Sequence, residues 1–472
     1  MKINFFFNRD FEIKDCPSLL RQLLINDHHV NVYIRKYYKI KKDSQNTKIY
    51  GTKELYDEFS TYKNFSCNQI KFKSFNFIIA LRTFLTFLEY INRGSDFAQL
   101  KKRWIKKHYL LGFFDSINNL LKFNFIFKFF QFFINKIEYL FLDRNILTVM
   151  RSDSPDAIIL CSLLNDTTLT LNEIIKCAKR SNIKVYYIVR SWDNLTNKAY
   201  MNIKPDCFFI WNKFQLEELK TFQRSTKENK IITGALLYEH LLNKKNLLDE
   251  KHFRSMASLD DKPIITYLGS SSQIIENEFF FIYEFLEKLS KRKQFCNFNF
   301  IIRLHPLSLE KVIKNGKLDE NIQSLILKLT KFKNISFLPN IENFKKDIHD
   351  KSIYLSNIFY SYSLIGLNTS AMIESVFFSK NLYIPKINED YEKKLTESLF
   401  TNTFHFKYLN NGNNTTSIAK TINDIDDIFM DNSNLDLLNN FKANFLNLDK
   451  YPSQKIIDYL ETKHAKYKKK NL

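Results

Sequence analysis

Short apolar strands alternate with helices along most of the chain, and this alternation restricts the fold more than any other feature of the sequence. A strand, a helix and a second strand in succession form a parallel pair, because the helix carries the chain back across one face of the sheet. The first series has predicted strands at 2–7, 30–35, 157–161, 185–189, 207–211 and 231–232, and helices at 18–25, 171–179 and 215–222. This pattern predicts an α/β fold with a doubly wound parallel sheet.

A second alternating series follows a polar stretch at 241–262, which lacks a strong period and is interpreted as the connection between two halves. Its predicted strands are at 263–268, 298–304, 361–366 and 382–385, with helices at 276–289 and after residue 370. Ligands of doubly wound sheets bind beyond the carboxyl ends of the strands. We therefore expect two Rossmann-like domains that face a cleft, with functional side chains at the strand ends.

The chain divides into three predicted regions. These are an N-terminal Rossmann-like domain at 1–245 with a helical, aromatic-rich insertion at about 75–142, a C-terminal Rossmann-like domain at 246–450, and a terminal helix with a basic tail at 451–472. A chain of 472 residues is long enough to give each of two domains its own core.

The formal net charge is +21, but the lysines behind it are scattered, and only 466–470 contains a tight basic run. No basic helix or aromatic RNA-binding signature accompanies the charge, which argues against nucleic acid as a partner. A basic surface also favours anionic membranes and phosphorylated substrates. Those two classes of partner fit the sequence better.

Two apolar segments bear on membrane contact. The segment 75–88 is too short to span a bilayer and contains Arg82. The segment 123–142 is interrupted by charged residues that include Lys128 and Glu138. Charges near the middle of a bilayer helix are costly, so neither segment is expected to cross a membrane. An aromatic helix of this kind either lies in the headgroup layer or packs in the protein interior, and both interpretations stay open.

Six cysteines lie far apart and form no C-x-x-C pair, which argues against a disulfide scaffold and against a zinc site. The histidines form no metal-ligand motif either, so we expect no metal site. No cleavage-site pattern follows the first predicted strand. We therefore expect a cytoplasmic protein, with the inner face of the plasma membrane as the place of any peripheral contact.

The predicted strand at 361–366 leads into Asn368, Thr369 and Ser370 at a helix start. Backbone N–H groups there are unsatisfied and lie at the positive end of the helix dipole, so they can hold a phosphate with help from the hydroxyls. Glu374 follows one turn later on the same helix face, where its carboxylate can accept hydrogen bonds from a ribose. An ordinary N-cap is the alternative interpretation.

Arg303 and His305 alternate with apolar residues at the end of the strand 298–304, so both are expected on one side of it. Arginine offers a fixed fork of donors to a phosphate. Histidine can donate a hydrogen bond or a proton to a departing phosphate oxygen. A loop histidine beside a surface arginine is the alternative.

A weaker cluster consists of Ser270, Ser271 and Ser272, directly after the strand 263–268 and Gly269. Small residues and hydroxyls at a turn between strand and helix can approach a phosphate closely. A plain turn fits nearly as well, because Gly and Ser are common turn formers.

The end of the strand 185–189 is followed by a crowded run that contains Ser191, Trp192, Asp193, Asn194 and Lys198. Asp193 can act as general base on a hydroxyl, and Trp192 can stack on a sugar. The alternative is a capping Asp or Asn before a short helix.

Together these motifs resemble a bacterial family of GT-B-like glycosyltransferases. The resemblance is carried by 191–198 (SWDNLTNK), 204–206 (KPD), 210–212 (IWN), 232–235 (ITGA), 303–306 (RLHP) and 366–374 (GLNTSAMIE). The last two are also similar to elements of CDP-glycerol glycerophosphotransferases and of capsule-type sialyl- and Kdo-transferases. The resemblance implies that His305, Thr369 and Ser370 contact the phosphate of a nucleotide-activated donor, and that Glu374 contacts its ribose.

Two positions depart from the family pattern. Ala199 replaces the glycine that is usual after Lys198, and the first strand is followed by Asn8, Arg9 and Asp10 where relatives tend to carry a His-containing loop. A histidine base near the N-terminus is therefore in doubt. Asp193 becomes the leading candidate for the base.

The sequence thus predicts an inverting, metal-independent glycosyltransferase of the GT-B type, which moves a sugar from a nucleotide donor to a cell-surface polysaccharide or glycolipid. Asp193 and His305 are the expected catalytic residues. The expected donor-binding residues are Ser270, Ser271, Ser272, Arg303, His305, Asn368, Thr369, Ser370 and Glu374, and the expected acceptor-binding residues are Ser191, Trp192, Asn194 and Lys198. No cofactor beyond the nucleotide sugar is expected. Two alternatives stay open: a CDP-alcohol phosphotransferase or nucleotide-sugar epimerase of the same fold, and a binding or scaffold protein without catalysis.

Overall fold

The chain folds into two compact units in a computed structural model. The residues described are 1–36, 52–72, 75–93, 105, 111–117, 121–162, 170–270, 278–306, 308, 313–314, 317–338, 350–367, 369–385, 419–422, 425–430 and 435–470. Unit 1 comprises Met1–Leu242 together with Ala443–Leu472, and unit 2 comprises Asn243–Lys442. The end of the chain therefore packs with the N-terminal sheet.

Seven parallel strands form the sheet of unit 1. They are β1 (Lys2–Phe7), β2 (His29–Arg35), β3 (Phe65–Ile70), β4 (Ala157–Leu160), β5 (Lys184–Ile188), β6 (Cys207–Ile210) and β7 (Asn229–Ile232), and the helices are α1 (Pro17–Ile25), α2 (Thr52–Phe59), α3 (Asn76–Asn92), α4 (Leu111–Ser116), α5 (Asn124–Leu140), α6 (Arg144–Asp153), α7 (Leu171–Arg180) and α8 (Lys213–Phe222). The strand order is β3-β2-β1-β4-β5-β6-β7, so the sheet reverses its direction of growth between β1 and β4. This is the doubly wound arrangement that the alternation predicts.

Six parallel strands form the sheet of unit 2. Its strands are β8 (Ile264–Leu268), β9 (Asn299–Arg303), β12 (Ile335–Phe337), β13 (Ser361–Gly366), β14 (Asn381–Pro385) and β15 (Ala419–Ile422), with a small antiparallel pair β10 (Ile313–Lys314) and β11 (Lys317–Leu318); its helices are α9 (Glu250–Met256), α10 (Glu278–Ser290), α11 (Glu320–Leu329), α12 (Lys351–Tyr360), α13 (Ala371–Phe377) and α14 (Leu435–Phe441). The order β12-β9-β8-β13-β14-β15 reverses between β8 and β13. The last helix, α15 (Pro452–Lys470), follows in unit 1.

The inner strands are mostly apolar because both faces of each sheet are covered there, whereas the edge strand β3 (FSCNQI) is largely polar and exposed. In β1, Ile3, Phe5 and Phe7 join one hydrophobic cluster, whereas Phe6 joins the cluster on the other face. Every residue of β4 and of β8 is buried. The α/β class expected from the sequence is confirmed. The polar stretch 241–262 differs from expectation, since it contains α9 rather than only a connection.

A buried network of charged side chains connects the aromatic-rich helices α3 and α5 with helix α7 of unit 1. Arg82 Nη2 lies 2.6 Å from Glu173 Oε1, and Arg82 Nε lies 2.6 Å from Glu138 Oε1. Lys176 Nζ lies 2.9 Å from Glu173 Oε2 and 3.3 Å from Glu138 Oε2. Two cations and two anions are thus balanced where none of the four side chains meets solvent. Ion pairs of this kind stabilise one arrangement only as long as all partners are present.

Among the described residues, no helix is both long enough and apolar enough to cross a membrane.

Replacing Arg82 with Met should destabilise unit 1 by about 3–5 kcal/mol, because Glu138 and Glu173 would be left buried with only Lys176 between them. Urea unfolding followed by circular dichroism measures the change. Arg21→Met is the matched control, since its ion pair with Glu58 is partly exposed and should contribute less than about 1 kcal/mol. Equal losses in the two variants would show that the buried network has no special role.

Candidate functional site

A cavity of about 190 Å³ lies in unit 2 beyond the carboxyl ends of β8, β9 and β13. Its lining residues are Leu268, Gly269, Arg303, His305, Pro306, Tyr354, Thr369, Ser370 and Ala371. The position is the point where the strand order reverses, and doubly wound sheets bind their ligands there. Four of the residues expected to bind the donor (Arg303, His305, Thr369 and Ser370) therefore share one cavity.

Gly269 allows the ends of β8 and β9 to meet closely. Its N–H donates to the carbonyl oxygen of Arg303 at 2.7 Å. A Cβ atom at this position would lie 2.8 Å from the backbone nitrogen of His305 and 3.0 Å from the carbonyl oxygen of Arg303. Since both neighbours are backbone atoms, a side chain would force the two strand ends apart. Only glycine lets Arg303 and His305 approach the cavity from this side.

Tyr354 holds Arg303 in place and connects it with Glu374. The guanidinium carbon of Arg303 lies 4.2 Å from the centre of the Tyr354 ring, and the Tyr354 hydroxyl donates to Glu374 Oε2. Burial raises the pKa of Glu374 to about 6, against the opposing effects of the Tyr354 hydroxyl and the Arg303 charge. Glu374 is therefore a neighbour of the cavity through Tyr354, and its expected contact with a ribose stays a prediction.

Tyr354 is the cavity residue that the sequence did not predict. It lies on α12, which precedes β13, and no motif surrounds it. Its side chain reaches the cavity because α12 packs beside the end of β9, and this packing depends on tertiary structure. The only sign of its role in the sequence is that Tyr354 lies shortly before the strand β13, whose end carries site residues.

His305 is neutral at pH 7 in this structure. Burial and the positive charge of Arg303 lower the pKa of its imidazole to about 4. A neutral imidazole carries one donor and one acceptor nitrogen. An anion in the cavity would favour the protonated ring, because opposite charges raise the pKa of a histidine. The cavity can therefore couple proton uptake by His305 to the binding of an anion.

At the start of α13, hydroxyl groups can contribute more to the binding of a ligand than the helix dipole can. Ser370 is the N-cap residue and its side chain makes no capping hydrogen bond, whereas Thr369 Oγ1 accepts from the Ala371 N–H at 3.4 Å. The helix is only seven residues long. The expected contribution of the helix dipole is therefore small, since few peptide dipoles align over two turns. The exposed Ser370 hydroxyl is the better donor to a ligand.

Ser270 does not line the cavity, contrary to expectation. It is buried, and its N–H donates to both carboxylate oxygens of Glu278 at 2.9 Å. The hydroxyl of Tyr267 donates to the same carboxylate at 2.9 Å. Burial raises the pKa of Glu278 to about 7. The hydroxyl of Ser270, which was expected to meet a phosphate, also binds the Glu278 carboxylate of α10.

Ser271, Ser272 and Asn368, also expected to bind the donor, lie outside the described residues.

The run after β5 is mostly structural. Trp192 is only 4% exposed and packs edge-to-face against Phe445, so its indole has no open face for a sugar. Asn194 is buried and donates to the Tyr187 hydroxyl at 2.7 Å. Both side chains hold the loop to the core, and the expectation that these two residues bind an acceptor stays a prediction. Lys198 is partly exposed, and its role in acceptor binding stays a prediction.

Asp193 and Ser191 are partly exposed at the surface of unit 1. Asp193 Oδ2 lies 3.0 Å from Lys198 Nζ, and Asp193 Oδ1 accepts from the Ser191 hydroxyl at 2.5 Å. Both carboxylate oxygens are therefore engaged. An acceptor hydroxyl that approached Asp193 would have to replace one of these contacts.

Among the described residues, no three His, Cys, Asp or Glu side chains lie together as a metal site would require.

Comparisons with known proteins relate the chain to others by fold. No protein-family model matches it, and no curated protein sequence matches it. Among solved structures, S. aureus MnaA in a co-structure with UDP is 11% identical, covers 98% of this chain and 96% of its own, and aligns with a TM-score of 0.50. UDP-GlcNAc 2-epimerase from Methanocaldococcus jannaschii (11% identical, 98% and 100% covered, TM-score 0.48) and a glycosyltransferase from Rickettsia africae (12%, 98% and 98%, 0.47) align less well.

Identities this low show the fold alone. The alignment with MnaA extends over both units, and each unit contains a doubly wound parallel sheet. The fold class predicted from the sequence, an α/β chain of the GT-B type with two Rossmann-like domains, is confirmed.

His305 should titrate near pH 4 in the ligand-free protein, well below the ordinary value of 6.5. NMR of the imidazole resonances, assigned with His305→Gln, measures the midpoint. Arg303→Met should move this midpoint upward, because it removes the neighbouring charge while burial still holds the pKa below 6.5. A wild-type midpoint near 6.5 would contradict the described environment of the ring.

Proposed function

We propose that this chain is a nucleotide-sugar enzyme whose second unit binds the phosphates of the nucleotide in the cavity at the ends of β8, β9 and β13. The observation that supports the proposal is the convergence of Arg303, His305 and Ser370 on one small cavity at the switch point of the sheet. Arginine, histidine and hydroxyl groups are the side chains that bind phosphate in proteins. Two separate parts of the sequence supply these groups, and the fold brings them to the same place.

The size of the cavity fits the phosphates and not a whole nucleotide sugar. At about 190 Å³ it is smaller than the roughly 300–1,000 Å³ of pockets that enclose complete small ligands. We therefore assign it to the phosphate groups alone, with the base and the sugar held by residues around it. UDP is the first nucleotide to test, because one protein of this fold was solved with it.

The reaction that we propose is glycosyl transfer to a polysaccharide or glycolipid. In this reaction Arg303 and His305 would stabilise the negative charge that develops on the departing phosphate. Neutral His305 would donate a hydrogen bond from its ring N–H to the leaving phosphate oxygen as negative charge grows on that oxygen. Asp193 is the candidate for the group that accepts the proton of the acceptor hydroxyl.

Epimerisation of a nucleotide sugar is the second candidate. The observation in its favour is that two of the four residues expected to bind an acceptor, Trp192 and Asn194, are buried. An epimerase needs the same phosphate cavity as a glycosyltransferase, but it needs no second substrate. Proton NMR of a UDP-sugar incubated without acceptor separates the two, because epimerisation produces a second sugar and transfer requires an acceptor.

Arg303→Met should weaken UDP binding by about 10- to 100-fold, since a charge-assisted hydrogen bond to a phosphate contributes roughly 1.5–3 kcal/mol. Calorimetric titration of the purified chain measures the affinity. Arg292→Met is the matched control, because Arg292 lies in the same unit, away from the cavity, and pairs with Asp426. If neither UDP nor another nucleoside diphosphate binds, or if both variants bind like the wild type, the cavity is not a phosphate site.

His305→Ala and Asp193→Asn should each lower turnover by about a hundredfold or more, because one removes a donor to the leaving phosphate and the other the acceptor of a proton. Release of the nucleotide from a panel of UDP-, GDP- and CMP-sugars measures the rate. Normal rates in both variants would defeat the assigned roles. Tight nucleotide binding without turnover on any donor would indicate a binding protein instead.

A further inference from the structure

Helix α5 turns a row of large apolar side chains toward solvent. Phe125 is 69% exposed, Phe129 57%, Phe132 55%, Phe133 47% and Leu140 79%. We call these five residues the aromatic face. Exposed apolar side chains that occur singly are ordinary, but a contiguous row of them marks a surface of interaction.

The spacing of these residues shows that the face is a regular property of the helix. Positions 125, 129, 132, 133 and 140 fall on one side of a helix with 3.6 residues per turn. Phe127, Ile134 and Glu138 fall on the opposite side and are buried. The ring centres of Phe129 and Phe133 lie 4.7 Å apart and those of Phe132 and Phe133 lie 5.6 Å apart, so these three rings contact one another.

The buried ion network determines which side of α5 faces outward. Glu138 is held between Arg82 of α3 and Lys176 of α7, so the helix cannot rotate without separating these charges. The aromatic face is therefore presented outward by a charged anchor in the interior. Rotation that hid the phenylalanines would expose or unpair a buried carboxylate, which is strongly unfavourable.

The exposed charges on and beside α5, between residues 121 and 140, have one sign. Lys122, Lys128 and Lys136 are exposed on or beside α5. Lys136 lies on the same side of the helix as the face, between Phe133 and Leu140 in the sequence, and its Nζ lies 4.4 Å from the centre of the Phe132 ring. Between residues 121 and 140 the only acidic side chain is Glu138, which is buried. An apolar face bordered by lysines is complementary to a bilayer surface that contains anionic lipids.

A second copy of the chain fits this face less well. Two-fold interfaces bring the same patch of both copies together. The lysines beside one aromatic face would then meet those of the other, with no exposed carboxylate on the helix to compensate. Charge thus favours lipid over self-association.

We propose that the aromatic face of α5 docks on an anionic lipid bilayer. Its phenylalanines lie at the boundary between the headgroups and the acyl chains, and its lysines lie at the lipid phosphates. The helix lies in the plane of the membrane surface, and the ion network behind it keeps unit 1 attached. This inference is independent of the proposed function, since it concerns a surface of unit 1 and not the cavity of unit 2.

The test is co-sedimentation of the full chain with vesicles of phosphatidylcholine alone and of phosphatidylcholine mixed with phosphatidylglycerol. We expect binding to the mixed vesicles, weaker binding at high salt, and little binding to phosphatidylcholine. The triple variant Phe129→Ser, Phe132→Ser and Phe133→Ser should lose at least about tenfold in partitioning, because it removes most of the apolar area of the face. Phe214→Ser with Phe280→Ser is the matched control and should bind like the wild type.

Two further variants keep the test decisive if the triple variant does not fold, which circular dichroism and thermal unfolding would reveal. Lys128→Glu with Lys136→Glu should abolish the preference for phosphatidylglycerol without touching an apolar residue. Phe132→Trp should show a blue shift of its fluorescence on mixed vesicles. Unchanged partitioning of the folded phenylalanine variant would overturn the proposal. So would a wild-type dimer that this variant dissociates while vesicle binding is absent in both.

Discussion

In unit 2 the strand order reverses beside β8, and the candidate site depends on this reversal. The strand order reverses between β8 and β13, and the cavity lies beyond the carboxyl ends of these strands. The backbone bond between Gly269 and Arg303 holds the neighbouring strand end beside the same cavity. Strand order brings Ser370 to Arg303 and His305, although a long stretch of chain separates it from them.

Burial shapes the chemistry of this region more than charge pairing does. The pKa of His305 is lowered to about 4, and the pKa values of Glu374 and Glu278 are raised to about 6 and about 7, with burial as the largest cause in each case. Each shift favours the neutral form. A site of this kind responds strongly to a charged ligand, because an arriving phosphate changes the balance that burial sets.

Unit 1 uses its charges differently. Its buried network of Arg82, Glu138, Glu173 and Lys176 holds the aromatic helices to the sheet. A parallel network is seen after β5, where Asn194 and Tyr187 fasten the loop that carries Asp193. Polar groups in the interior thus orient the elements, while the outer side of α5 carries the exposed phenylalanines together with lysines. The exposed phenylalanines and the internal charges are two consequences of one arrangement.

The sequence by itself determined the two α/β units and the edge of the second sheet where Arg303, His305, Thr369 and Ser370 gather. Periodicity predicts which segments are strands and helices, and residues just after parallel strands always lie at one edge. The sequence could not predict which side chains are exposed, because the same polar or aromatic residue type can contact a ligand or pack in a core. Trp192, Asn194 and Ser270 proved to be buried. Tyr354 comes to the cavity, and Glu278 comes to Ser270 beside it, from helices that no local motif connects with these places. Only the tertiary structure decided these points, because burial depends on which distant segments pack together.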